Sequence, residues 1–439
     1  MNVELINTGS ELMLGRVLNT HQQWLCRRLA DLGYVVTRQV AVADTGHEIE
    51  QTVREALSRA NLIIATGGLG PTSDDITRDL IAQLLGKKLH EDATIVQHIE
   101  KFFAARKRLM PASTLVQAQV PEGAFVLPNP NGTAPGLAMK VEDGGWKMED
   151  GKLRVPPSAI LNPPSSSHCK WLIMLPGPPR ELRPMFNDAV VPLLRRELPL
   201  EADFICRTLR TVGIGESQVA DRIGKLLQPL IAQGMDLGYC AHIGAVDVRF
   251  AAKGPQAAQL VRDAELLTRT ELAKHIYGED DETLESVGVR LLTERKQTLA
   301  LAESCTGGGI ANRITNVPGA SAVLLASLVT YANAAKQKFV GVRAETLAAH
   351  GAVSEAVARE MAEGARRETG ADYALSVTGI AGPGGGSEAK PVGTVYIGFA
   401  SARETTTLKQ FNPFDRETFK NVTGTQALEM LRRKMLSLD

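Results

Sequence analysis

The sequence predicts an α/β protein built from more than one doubly wound unit. Three observations predict it. The chain has 439 residues, and at roughly 150 residues per domain that length suggests two or three domains. Short apolar runs alternate with amphipathic ones, the pattern of parallel strands joined by crossover helices. Glycine clusters follow several of the apolar runs, where an open parallel sheet places its ligands.

The elements follow in order. VELIN is the first strand, then come a helix over about 19–32, the strand YVVTRQVAV, a helix over about 47–60 and the strand NLIIAT. TGSE at Thr8 and TGGLGPTSDD at Thr66 stand just past two of these strands. The stretch 141–170 is rich in Gly, Pro and Ser and reads as a hairpin followed by a loose loop. WLIML must end at PGPPRELRPMF, because proline stops a strand, and Arg180 to Phe186 can begin a helix. From about Leu200 to Gly278 the pattern is strand, helix (Ser217 to Leu227), strand (AVDVRFAA), helix (Pro255 to Lys274), with no catalytic cluster. GEDDE at 278–282 reads as a linker, since successive like charges repel one another. Beyond it, Thr298 to Glu303 and Ala322 to Thr330 read as buried strands. Ser354 to Glu368 reads as a helix with a serine N-cap, and Tyr373 to Val377 and Thr394 to Ala400 read as strands.

Composition narrows the function. The chain is 44% hydrophobic and 22% charged, with 49 basic and 49 acidic side chains, so no global field draws it to nucleic acid or an anionic membrane. Any anion site must be local. The start MNVELINTGSE lacks the basic and apolar regions of a signal peptide, and no segment approaches the ~20 apolar residues of a membrane span. Cys26, Cys169, Cys206, Cys240 and Cys305 are far apart, which suggests neither a zinc site nor a disulfide framework. The expected location is the cytoplasm.

Three loops follow three apolar runs near the C-terminus: SCTGGG from Ser304, TYANAAK from Thr330 and TGIAGPGGG from Thr378. On parallel neighbouring strands they would meet at one edge of the sheet. A Gly-rich turn into a helix offers backbone N–H groups to a phosphate or an oxyanion. Ser304 is the candidate nucleophile. Its base is either His350, the one histidine past residue 282, or Lys336, because a desolvated lysine can lose its proton near neutral pH. Tyr331 could relay a proton or hold the serine. Plainer readings stand beside these: Ser304 as a helix cap, Cys305 as a small buried hydrophobe, and Tyr331 and Lys336 as a solvated helix start.

ESCTGGGIANRIT, PGAS, TYANAAK, GAVSEAVAREMAEGAR and TGIAGPGGGSEAKPVGTVYIG closely resemble the C-terminal domain of the CinA family, from about Leu284 to Met435. The resemblance implies an α/β/α domain over 280–439, similar to the nicotinamide mononucleotide deamidases and needing no cofactor. It assigns Ser304 as nucleophile, Lys336 as base and Tyr331 as an assisting group. Thr306, Gly307, Gly308, Asn333, Thr378, Gly379 and Gly382 are then the substrate-binding residues.

TGSELMLGRVLNTH, TGGLGPTSDDITRD, NPNGTAPG and LPGPPRELRPM resemble the N-terminal domain of the same family, a three-layer α/β/α molybdopterin-binding-like fold over 1–198. Residues 141–170 depart from that pattern as an insertion. Gly67, Gly68 and Gly70 allow close approach of backbone to phosphate, and Asp74 and Asp75 are hard oxygen ligands for a divalent metal ion. One of the two could instead cap the helix through Ile76 to Leu85. Asn19 and Thr66 join the glycines as substrate contacts. The family is similar to metal-dependent ADP-ribose pyrophosphatases. Residues 199–279 resemble its KH-like α+β module, with Gly213-Ile214-Gly215 in place of a nucleic-acid-clamping GXXG loop, which points to a connector. The resemblance also implies a homodimer, with nucleotides as partners and neither nucleic acid nor membrane. Two other readings remain: a molybdopterin-binding protein, and a non-catalytic partner in competence or DNA damage. Against the second stands the intact set of Ser304, Tyr331 and Lys336.

Overall fold

The computed structural model describes residues 1–141, 147–149, 152–154 and 170–438. Two compact units comprise it, Met1–Phe204 and Ile205–Asp439. No helix among the described residues is long and apolar enough to cross a membrane.

The first unit is built on a six-stranded sheet in the order Val36–Val42, Val3–Thr8, Leu62–Thr66, Lys170–Leu175, Gly136–Val141, Phe125–Leu127. The first four strands are parallel, and Gly136–Val141 runs against both of its neighbours. Leu62–Thr66 is buried throughout and alternates between two cores, as a strand with helices on both faces must. Ile63 and Ala65 pack with Ile49 and Val53 of the helix Gly46–Arg59. Leu62 and Ile64 pack with Leu25 and Leu29 of the helix Thr20–Asp31. The chain passes from Val3–Thr8 to one side and then to Leu62–Thr66 on the other, so the two Gly-bearing ends flank a topological switch point. Gly67 and Gly68 there have φ of +99° and +64°, and a β-carbon on Gly67 would lie 2.6 Å from Thr8 O. Only glycine makes this turn without strain. In the expected insertion, Lys147–Glu149 and Lys152–Arg154 pair as an antiparallel hairpin, and the loose loop expected after it lies outside the described residues.

The second unit holds two sheets. Its four-stranded sheet has the order Asp236–His242, Ala245–Lys253, Phe204–Val212, Ile276–Glu279. Asp236–His242 was not foreseen; it pairs antiparallel with Ala245–Lys253 through a turn in which Gly244 has φ +77°. The acidic run 278–282 is not a free linker. It ends the strand Ile276–Glu279, and Arg269, Arg207 and Arg290 pair with Glu279, Asp280 and Glu282 respectively. Consecutive carboxylates can pack when a guanidinium stands against each.

The five-stranded sheet runs Leu324–Val329, Leu299–Glu303, Tyr373–Gly379, Thr394–Ala400, Thr405–Phe411, with the first three parallel and the rest antiparallel. Leu299 and Leu301 serve one core and Ala300 and Ala302 the other. Leu324–Val329 was expected to be buried, yet as the edge strand it is only half-buried. The last helix, Arg416–Leu436, packs through Phe419, Ala427 and Leu431 into the first of these cores. Near its far end the buried Arg432 pairs with Glu429 and donates to the carbonyls of Lys274 and Ile276.

The helix Glu355–Thr369 crosses the end of Asn333–Val340 at Gly364, where a β-carbon would meet Val340 O at 1.7 Å. Gly364→Ala is therefore expected to destabilise this unit by about 2 kcal/mol or more through overpacking. Gly288→Ala, in the helix Leu284–Arg295 with open space around it, should be neutral or add up to about 1 kcal/mol. Urea unfolding midpoints of the two variants check the contrast.

Candidate active site

The three parallel strands of the C-terminal sheet deliver their ends to one place. Leu299–Glu303 runs into Ser304, whose N–H donates to Val377 O on the neighbouring strand at 3.0 Å. Leu324–Val329 runs into Thr330 and Tyr331, and the helix Asn333–Val340 then turns Lys336 back inward. Lys336 is 1% exposed, and its Nζ donates to Ser304 Oγ at 3.0 Å, Thr330 O at 2.8 Å and Tyr331 O at 3.1 Å. Desolvation lowers its pKa from the ordinary lysine value. Once deprotonated, the amine would keep two N–H bonds for the two carbonyls and turn its lone pair to Ser304 Oγ. His350 is exposed at the end of the helix Ala344–His350, and its carbonyl accepts from Lys390 Nζ. Among the described residues it is Lys336 that reaches Ser304.

The glycine loop differs from its expected form. Glu303, 1% exposed, folds its carboxylate under the loop and accepts from the N–H groups of Gly308, Ile310 and Ala311 at 3.0, 3.1 and 2.9 Å. Gly307 N donates to Ser304 O and Gly309 N to Thr306 O. The N–H groups of Gly307, Gly308 and Gly309 thus serve the protein itself, which corrects the expectation that they are offered to a phosphate or an oxyanion. Buried Thr306 keeps a hydroxyl without a partner, as does buried Thr330.

Tyr331 holds Lys336 through its carbonyl, while its phenol, on a side chain 60% exposed, accepts from Arg416 Nη2 at 2.9 Å rather than meeting Ser304. The same guanidinium donates through Nη1 to Gly382 O at 2.8 Å, bridging two of the three loops. Lys420, one helical turn on, lies beside Gly307, its Nζ 3.9 Å from where a β-carbon would be. Glu303, Arg416 and Lys420 were not legible in the sequence; Arg416 lies 85 residues from Tyr331 and 34 from Gly382, whose loops it joins. Thr378 donates its hydroxyl to Ala352 O, Gly379 packs on Phe419, and Asn333 is exposed at the first position of its helix.

In the first unit, Thr8, Gly9, Glu11, Asp44, Gly67, Gly68, Gly70, Asp74, Asp75, Gln117 and Glu181 line a cavity of about 410 Å³ at the switch point. Asp75 does not cap the following helix. It accepts from Thr72 N at 3.0 Å and from the Thr72 hydroxyl, closing the turn, and a β-carbon at Gly70 would strike it. The same hydroxyl beside Asp74 holds that exposed carboxyl below the usual aspartate value. Among the described residues no three His, Cys, Asp or Glu converge as a ready-made metal cage. The lining is nonetheless an oxygen donor set, suited to a hard cation that keeps waters and shares a substrate's phosphates. Thr66 and Asn19 are engaged within the protein: Thr66 Oγ1 accepts from Asn7 Nδ2, and Asn19 caps Thr20–Asp31 by accepting from Gln22 N.

Cys305 beside the nucleophile is buried, and desolvation pushes its thiol up to about 12. At pH 8 only about one molecule in ten thousand would carry the thiolate. Iodoacetamide applied to the native protein is therefore expected to alkylate the exposed Cys240 and spare Cys305. Peptide mass spectrometry checks this, and equal labelling of the two would refute the buried neutral thiol.

Comparison with known proteins places the chain in a lineage. Three family models match in series: "Probable molybdopterin binding domain" over 4–196, "Damage-inducible protein CinA KH domain" over 206–278 and "CinA C-terminal domain" over 281–435. A competence-damage inducible protein of Caldicellulosiruptor bescii is 41% identical over 99% of this chain and 100% of its own length. A CinA-like protein of Akkermansia muciniphila is 40% identical over 99% of this chain and 98% of its own. Among solved structures, a competence/damage inducible protein of Agrobacterium tumefaciens is 39% identical, covering 34% of this chain and 95% of that one with a TM-score of 0.33. The CinA protein of Thermoplasma acidophilum is 28% identical, covering 44% of this chain and 97% of that one with a TM-score of 0.35. With relatives of this identity along almost its whole length and all three models in order, the chain belongs to the CinA family of competence/damage-inducible proteins.

Proposed function

We propose that this chain is a two-site hydrolase of pyridine nucleotides. Its C-terminal domain hydrolyses the carboxamide of nicotinamide mononucleotide to the carboxylate and ammonia, and its N-terminal domain cleaves the diphosphate of ADP-ribose. The observation that carries the first half is the 3.0 Å contact between Lys336 Nζ and Ser304 Oγ, made by a lysine shut away from solvent. Amide hydrolysis needs a nucleophile, a base that later protonates the leaving nitrogen, and donors for the oxyanion.

Ser304 Oγ attacks the carboxamide carbon as its proton passes to neutral Lys336. The C–N bond breaks as that proton moves to the departing nitrogen, which leaves as ammonia. Water then attacks the resulting ester, gives a proton to Lys336 and releases the acid as the proton returns to Ser304 Oγ. One water is consumed and one amide becomes one carboxylic acid. Donors for the oxyanion would come from the main chain of the turn that carries the nucleophile. Arg416 and Lys420, an i, i+4 pair on one helix face, put positive charge at the rim for the nucleotide phosphate.

In the N-terminal cavity the exposed Asp74 would offer one carboxylate to a hard divalent cation, whose other positions would fall to water and to the substrate's phosphates. When bound, that ion would neutralise the diphosphate and polarise it toward attack by water. Asp75 keeps the turn in shape, and Gly67 and Gly68 let the backbone approach the ligand. The match of residues 4–196 to a molybdopterin binding model favours a second reading, in which the cavity holds a pterin phosphate without cleaving it. Pterin fluorescence retained through purification, with no AMP formed from ADP-ribose, would support that reading instead.

Release of ammonia from nicotinamide mononucleotide tests the first activity. Lys336→Met is expected to lower kcat by about 10²- to 10⁴-fold with KM little changed, and Lys336→Arg should not rescue it, because guanidinium keeps its proton. Because the base works neutral and its pKa is lowered, wild-type kcat/KM should rise with pH through a group below the ordinary lysine value. That rise should vanish in Lys336→Met; a wild-type rate in that variant would end the serine–lysine reading. For the N-terminal domain, a chelator should abolish AMP formation from ADP-ribose and leave deamidation intact. Asp74→Asn should raise the metal concentration for half-maximal rate about tenfold without moving the melting temperature, and an unchanged metal requirement would exclude Asp74 as a ligand.

A further inference from the structure

Glu303 is a buried acid that takes no part in the steps above. It stands immediately before the nucleophile at the end of its strand, and every oxygen of its carboxylate is engaged. Oε2 accepts from Gly308 N at 3.0 Å and Ile310 N at 3.1 Å. Oε1 accepts from Ala311 N at 2.9 Å and from Ser327 Oγ at 3.3 Å. A carboxylate accepts at all of these sites at once; its amide isostere cannot, because its NH₂ would face a backbone N–H on one side or the other.

The same residue reaches the base through its main chain. Glu303 O accepts from Thr330 N at 2.8 Å, and Thr330 O accepts from Lys336 Nζ at 2.8 Å. Ser327, which holds Oε1, lies on the edge strand that carries Thr330 and Tyr331 to Lys336. One buried residue therefore clamps the turn bearing Ser304 with its carboxylate and registers the loop bearing the carbonyl anchors of Lys336 with its backbone. It also occupies the N–H groups to which a substrate phosphate would otherwise be drawn.

We propose that Glu303 is the positioning residue of the Ser304–Lys336 pair, a built-in anion that fixes the separation and alignment of nucleophile and base without touching substrate. The inference rests on the reading of Ser304 as nucleophile. It predicts that losing the negative charge at Glu303 slows the reaction at Ser304 Oγ while substrate binding at the Arg416 rim is kept. A purely structural carboxylate would change stability and leave kcat of the folded protein alone.

The test compares wild type, Glu303→Gln and Ser327→Ala, all held well below their melting temperatures. Two readouts are taken: nicotinamide mononucleotide hydrolysis, and the rate at which a fluorophosphonate phosphonylates Ser304 Oγ with loss of fluoride. Glu303→Gln is expected to lower kcat and the labelling rate by 10-fold or more with KM within about threefold. Ser327→Ala, which removes one of four donors, should lower both about two- to fivefold. Wild-type kcat and labelling in folded Glu303→Gln would overturn the proposal. Should Glu303→Gln not fold, unchanged labelling in Ser327→Ala overturns it and slowed labelling supports it. If wild type leaves nicotinamide mononucleotide intact yet Ser304 is labelled and Glu303→Gln slows the labelling, the substrate reading fails and the positioning role stands. If Ser304 of wild type is not labelled, the proposal falls with the nucleophile.

Discussion

A lysine amine can be enclosed in a protein only if acceptors meet it, and the C-terminal domain is arranged around meeting one. Burial of an unpaired ammonium would be prohibitive. Lys336 is supplied with two main-chain carbonyls and a serine hydroxyl. The carbonyls come from successive residues past the edge strand, and the hydroxyl from the residue after its parallel neighbour. A one-residue slip between those strands would turn the side chains of the edge strand to the opposite face and unmake the pocket. The register pairing Glu303 with Val329 is thus a condition for reactivity as much as for stability.

The two sites solve opposite electrostatic problems. The C-terminal rim carries the positive charge of Arg416 and Lys420. The N-terminal cavity is lined by Glu11, Asp44, Asp74, Asp75 and Glu181, so a bare diphosphate would be repelled from it. A cation is the natural third party there. An overall balance of 49 basic and 49 acidic side chains conceals these two local fields, and neither could be read from net charge.

The candidate site was legible in the sequence where it is built from side chains close in the chain or at strand ends. Ser304 and Lys336 could be set side by side as candidates because both follow apolar runs on strands expected to be parallel neighbours, while the choice of Lys336 over His350 came from the family resemblance. The two helices flanking the first strands were legible from their apolar period. What escaped had a common cause: it depended on partners distant in sequence. Tyr331 looked like a proton relay until Arg416, 85 residues on, was found on its hydroxyl. The acidic run looked like a linker because three arginines at 207, 269 and 290 could not be assigned to it. Glu303 was read as the last residue of a strand, since only the folded turn brings three N–H groups to its carboxylate.

The helix Arg416–Leu436 has 21 residues, a rod of about 30 Å. One end holds the guanidinium that joins two active-site loops; toward the other, Arg432 grips the carbonyls of Lys274 and Ile276 in the middle module. A rod gripped in this way acts as a lever. Any tilt of the middle sheet would be felt at the rim above Ser304 and Lys336, with the packed residues Ala427 and Leu431 as its fulcrum. The middle module is thereby mechanically coupled to the mouth of a site it does not line.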